Sequence, residues 1–214
     1  MNLFEFGVSI NSEKLEIINS KAKRLYIVSG SSRGGTSALA YALRRASVHF
    51  GKVDANNHEL PELMSPELTE DKIRLAIDGL LDEKNISGVK LPNFSFYLKW
   101  LSRQYPDSIF MYILRNPLDI STTIMTRSPS HSVNKSDLRI GVQHAFRFYS
   151  AMVNVVDEIE QPFYLISFEK MKTRPEQFVD WLEQVGIKFS DDVKSQLAKE
   201  LAAPGYKKLP MDNV

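Results

Sequence analysis

The run "LYIVSGSSRGGTSALAYALRR", residues 25–45, decides the fold. An apolar, β-rich stretch passes into Gly30, two serines, Arg33 and the pair Gly34–Gly35, and then into a pattern of helical periodicity. Strand, glycine-rich turn and helix in that order bring successive backbone N–H groups around an anion at the positive end of a helix. Three glycines permit a tight path, and Thr36 and Ser37 add hydroxyls able to cap the helix or to bond a phosphate oxygen. A plain turn needs only one glycine and one cap, so a phosphate loop is the better reading. The run nearly spells G-x-x-x-x-G-K-[ST], yet Thr36 stands where the lysine belongs and the basic residue, Arg33, comes three places earlier. The lysine that reaches the outer phosphates of ATP is missing.

Working outward, "RLYIVSG", "ISGVK", "SIFMYIL" and "QPFYLIS" read as buried strands of a mostly parallel sheet. Helical patterns fill the intervals: "TSALAYALRRA", "EDKIRLAIDGLLDEK", "FSFYLKWLSRQY", "RIGVQHAFRFYSAMVNVVDEIE", "PEQFVDWLEQVG" and "DDVKSQLAKELA". Strand–helix alternation of this kind predicts an α/β fold with right-handed crossovers. The polar segments 51–70 and 127–137 read as long loops beyond the strand ends, where an open α/β sheet places its ligands.

A second anion site follows from "SIFMYILRNPLDISTTIMTR", residues 108–127. Its strand ends at Arg115, Pro117 takes a first helical position, and Asp119 falls in the first turn. A metal-dependent kinase often places an acid at such a tip; a guanidinium there suits a second phosphate. Thr122 and Thr123 offer hydroxyls one turn on. Two basic strand tips predict a ligand with two separated phosphates rather than one polyphosphate tail.

Bulk properties bound the function. A chain of 214 residues with net charge +1 predicts one globular domain over 1–214, without the basic field that drives binding to nucleic acid. Cysteine is absent, which removes disulfides, thiolate metal sites and cysteine nucleophiles. The N-terminal stretch lacks the order of a signal peptide and no apolar run suits a bilayer span, so a cytoplasmic setting is expected. His131 and His144 lack metal-ligand spacing and read as loop and helix-surface residues; Phe146, Phe148 and Tyr149 read as helix core.

Taken together, the motifs resemble those of sulfotransferases that use 3′-phosphoadenosine 5′-phosphosulfate (PAPS). "SSRGGTSAL" is similar to the family's 5′-phosphosulfate loop P-[KR]-S-G-T-[ST], and "LRNPLDISTT" to its 3′-phosphate motif R-[ND]-P-x-D-x-x-x-[ST]. "YLISFEKMKTRPEQFVDWLEQVGI" resembles the later Y-E-D-[LM]-x-x-x-P run, and the three keep the family's order over residues 24–187. The resemblance implies a P-loop-like three-layer α/β/α sandwich with a mostly parallel central sheet. It implies that Arg33 contacts the transferring sulfuryl group and that Ser32, Gly34, Gly35, Thr36 and Ser37 cradle the 5′-phosphate. Arg115 and Thr123 would bind the 3′-phosphate, with Phe168 where the family's Tyr lies near the adenine. Ala38 replaces a Trp that stacks on adenine in many members, and Lys207 and Lys208 fall near a C-terminal basic loop. Lys90, at the end of "SGVK", resembles the K-x-P strand end and would stabilise the sulfuryl or leaving phosphate. The expected base is Glu59, ahead of His58 and then Glu62, in "NNHELPEL", at the place where carbohydrate-type members carry a glutamate. The expected reaction is metal-independent transfer of a sulfuryl group from PAPS to a hydroxyl or amine of a small polar or carbohydrate acceptor. Two other classes remain open, an ATP-dependent small-molecule kinase with a degenerate loop and a non-catalytic nucleotide-binding module; oligomeric state is left open too.

Overall fold

A computed structural model describes residues 1–126 and 135–203, with the side chains of 135–137 also left aside. Its strands are β1 (Asn2–Phe4), β2 (Gly7–Ile10), β3 (Arg24–Gly30), β4 (Ile86–Lys90), β5 (Ser108–Leu114) and β6 (Phe163–Ser167). They form one sheet in the order β1-β2-β6-β5-β3-β4. β4, β3, β5 and β6 run parallel, while β2 pairs antiparallel with β6 and β1 with β2. All four strands read from the sequence are present; the β1–β2 hairpin adds an antiparallel edge.

The helices are α1 (Leu15–Asn19), α2 (Thr36–Arg45), α3 (Glu70–Glu83), α4 (Leu98–Gln104), α5 (Pro117–Met125), α6 (Lys135–Val153), α7 (Phe168–Thr173), α8 (Pro175–Gln184) and α9 (Asp191–Ala202). Local chemistry sets several starts. Thr69 accepts from Lys72 N–H to cap α3, Asn116 accepts from Leu118 N–H to cap α5 ahead of Pro117, and Ser167 accepts from Lys170 N–H to cap α7. The helix expected over "FSFYLKWLSRQY" begins as a 3₁₀ turn, Pro92–Phe96, and becomes α4 only at Leu98. The one expected over "RIGVQHAFRFYSAMVNVVDEIE" ends at Val153, with a 3₁₀ turn at Val156–Glu158.

Side chains alternate across the sheet, so each parallel strand feeds two cores. Tyr26 and Val28 of β3 pack with residues of α2, α8 and α9 on one face; Leu25 and Ile27 pack with α3 and α4 on the other. Burial on both faces is why these strands read as continuous apolar runs. Helices on both faces of a mixed, mostly parallel sheet make the three-layer α/β architecture. Among the described residues, no helix is long and apolar enough to cross a membrane. The expected loop 127–137 lies outside what is described apart from the backbone at the start of α6, as do His131, Lys207 and Lys208.

Candidate active site

The carboxyl end of β3 opens into the glycine loop. Gly35, the residue before α2, has φ +99°, and a Cβ there would stand 2.2 Å from Phe168 Cδ2. Both the backbone and the space therefore require glycine. Gly34 N–H donates to Ser31 O at 2.8 Å, which closes the turn. Arg33 has φ +65°, an uncommon conformation for a residue with a side chain. The N-cap position of α2 is Gly35, which has no side chain with which to cap the first turn.

β5 lies beside β3 and is followed at once by Arg115, whose placement is held from several directions. Its Nη1 donates to Arg33 O at 2.9 Å and its Cζ lies 4.7 Å from the centroid of the Phe168 ring. Tyr149 of α6 accepts from Arg115 N–H at 3.0 Å and donates to Arg115 O at 2.5 Å. Next to it, Asn116 N–H donates to Glu169 Oε1 at 2.7 Å. Arg115 Nε is buried with no hydrogen-bond partner among the described residues, a donor that an anion would satisfy. Thr123 lies one turn into α5, and its hydroxyl donates to Asp119 O at 2.7 Å. A hydroxyl carries one proton, so donating to a phosphate requires it to rotate off that carbonyl.

The third wall is a small loop closed on itself. Asp54 Oδ1 accepts from the N–H groups of Asn56 and Asn57, and Asp54 N–H donates to Glu59 O. His58 anchors the loop. It is fully buried, has φ +58°, contacts the ring of Tyr41 and sits with Nδ1 2.8 Å from Arg44 Nη1. The loop delivers Asn57 O and Glu59 to the end of β4, where Lys90 is almost wholly buried. Lys90 Nζ donates to Asn57 O at 3.0 Å, to Ser37 Oγ at 3.4 Å and to Glu59 Oε1. Burial pulls the Lys90 ammonium below the usual lysine range, and the Glu59 carboxylate opposes that pull. Glu59 Oε2 has no hydrogen-bond partner among the described residues.

These three walls enclose one cleft of about 400 Å³. It is lined by Ser32, Arg33, Gly35, Thr36 and Ser37 of the loop, by Glu59 and Lys90, and by Arg115, Thr123 and Phe168. Ten candidates named from the sequence thus meet in one place. Gly34 of the loop is not part of that lining. His58 is fully buried and not among the residues of that lining, whereas its neighbour Glu59 is. Sequence reasoning missed Asn57 and Pro92 of the lining and the grip of Tyr149 on Arg115, since neither backbone acceptors nor a hydroxyl in a helix core announce themselves in a residue string. Among the described residues, the cleft offers three cations against one carboxylate, Glu59, that is itself paired with Lys90. That donor set fits an anionic ligand with separated charges and fits a polyphosphate bound through a metal poorly.

Comparison with known proteins bears on the same region. A family model described as "Sulfotransferase family" matches residues 39–191. No curated protein matches the chain. Among solved structures, the crystal structure of a sulfotransferase from Mycobacterium avium is similar, with a TM-score of 0.54 at 13% identity over 89% of this chain and 71% of that one. At that identity the likeness concerns the fold. The matched span begins inside α2, so the glycine loop stands on its own geometry.

Proposed function

The chain belongs to the sulfotransferase family, and on that premise we propose that it moves the sulfuryl group of PAPS to a hydroxyl or amine of a small polar acceptor, carbohydrates included, without a metal. One observation carries the reading: Arg33 and Arg115, from two strand ends, line the same cleft, and one guanidinium is bonded to the other residue's carbonyl. PAPS would supply the reactive sulfuryl group and a phosphate leaving group. The start of α2, with Ser32, Thr36 and Ser37, holds the 5′ end; Arg115 and Thr123 hold the 3′-phosphate, with Phe168 beside the adenosine. Arg33 and Lys90 neutralise charge that spreads over the equatorial oxygens in an in-line displacement, a task fixed cations perform in a site that excludes water. The sulfur–oxygen bond to the 5′-phosphate breaks as the bond to the acceptor forms, and Glu59 Oε2 takes the acceptor's proton. Lys90 aims Glu59 through their ion pair while its own charge faces the reaction.

Thermal denaturation tests this directly. Adenosine 3′,5′-bisphosphate at a hundred times its dissociation constant should stabilise the chain by about 2.7 kcal/mol in the presence of a chelator. Stabilisation by Mg-ATP with none by the bisphosphate would replace this reading with a kinase.

A further inference from the structure

A second hollow of about 300 Å³ lies against the first. Ser32 lines both, and Asn93 of the second follows Pro92 of the first. Its walls come from the 3₁₀ turn ahead of α4 and from α6: Phe96 and Tyr97 on one side, His144, Arg147 and Phe148 on the other. Phe96 stays 42% exposed, an open aromatic face next to a catalytic cleft. The Arg147 guanidinium lies over that ring, Cζ 5.1 Å from its centroid, and has no carboxylate partner among the described residues. His144 packs on Phe148 with ring centroids 4.9 Å apart. Burial first, and the Arg147 charge second, lower its pKa, so the ring is neutral near pH 7. Among the described residues, no acidic side chain lines the hollow, and the one fixed charge on its walls is positive.

We infer that this hollow seats the acceptor and selects a hydroxylated ring compound that carries an acidic group. The inference rests on the sulfuryl-transfer reading above. Phe96, Tyr97 and Phe148 offer faces for a flat or ring-shaped body, and Arg147 offers a fork for its acid. The shared Ser32 wall puts a hydroxyl on the far edge of that body next to Arg33, where the sulfuryl group would arrive. A carboxylate held by Arg147 fixes which hydroxyl that is. A simple neutral sugar or alcohol would use the rings and leave the guanidinium to solvent.

Calorimetry on the full chain saturated with adenosine 3′,5′-bisphosphate tests it, with two acids and their neutral counterparts: hydroxyphenylacetate against methylphenol, and glucuronate against glucose. At least one acid should bind about tenfold tighter than its counterpart, the step expected of one charge-assisted bond. The preferred pair identifies the ring. Arg147→Gln should erase the acid's advantage while the neutral compound binds as before, and Phe96→Ala should weaken both members of the preferred pair. Equal affinity of acid and neutral compound, no binding by either acid, or an advantage that survives Arg147→Gln would overturn the inference. Retained bisphosphate binding in that case leaves the donor reading standing, whereas failure of the bisphosphate to bind at all overturns both.

Discussion

Lys90 and Glu59 hold each other at the end of β4, and neither is at ease alone. Removing one member of a buried pair leaves the other's charge uncompensated, so Glu59→Gln should lower stability by about 3 kcal/mol at neutral pH. The sign of its pH dependence is fixed by Lys90, whose folded pKa burial already depresses. A lowered folded value means that the unfolded chain binds the extra proton, and stability recovers as pH climbs towards the unfolded lysine value of about 10.4. Chemical denaturation at pH 7 and pH 10 should show the deficit of the variant shrinking; a constant deficit would mean that charge is not its cause. The same variant should lose about a hundredfold in turnover, the low end for a general base, while still binding the bisphosphate. Arg115→Lys is the complementary change at the other tip. It loses the stack on Phe168 and the fork that also reaches Arg33 O, so bisphosphate affinity should fall about tenfold or more by calorimetry. The identities of these residues were legible in the sequence because each ends a strand or follows the loop. That His58 is buried against Arg44 while Glu59 lines the cleft was not, since two adjacent polar residues do not show in the sequence which one faces inward.

Among the elements, the joint between the glycine loop and α7 is tight. The ring of Phe168 supports Arg115 on one side and meets Gly35 on another. Gly35→Ala should therefore cost about 2 kcal/mol or more, from the positive φ and from the ring together. Phe168→Ala in the same chain should return part of that loss, and urea denaturation of the four variants of the cycle should show costs that do not add. Additive costs would mean that loop and ring act independently. The four parallel strands were legible because burial on both faces leaves an unbroken apolar run. The β1–β2 hairpin was not: its strands have three and four residues, Leu3 is 88% exposed, and a pattern so short carries no period. His144 and Arg147 escaped for a different reason. On an amphipathic helix His144 reads as surface and nothing marks Arg147 out, and the 3₁₀ turn folded against α6 makes them a wall.

Across the molecule, the sheet brings the two proposed anion sites to neighbouring strand ends, β3 and β5. Both strands are flanked by partners on each side and covered on both faces, so their amides should exchange slowest and those of the edge strand β1 fastest. Rapid exchange in β3 would place the cleft on a far softer frame than this sheet provides. A rigid frame matters because the two sites must match one ligand in spacing, and that match is the account's central claim. Calorimetric titration with adenosine 3′,5′-bisphosphate, 5′-AMP and 3′-AMP under a chelator measures it. The account predicts that the bisphosphate binds about tenfold or more tighter than either monophosphate, and that Arg115→Lys reduces the bisphosphate to the affinity of 5′-AMP. Equal affinity of all three nucleotides, or tighter binding of ATP once magnesium is restored, would contradict it.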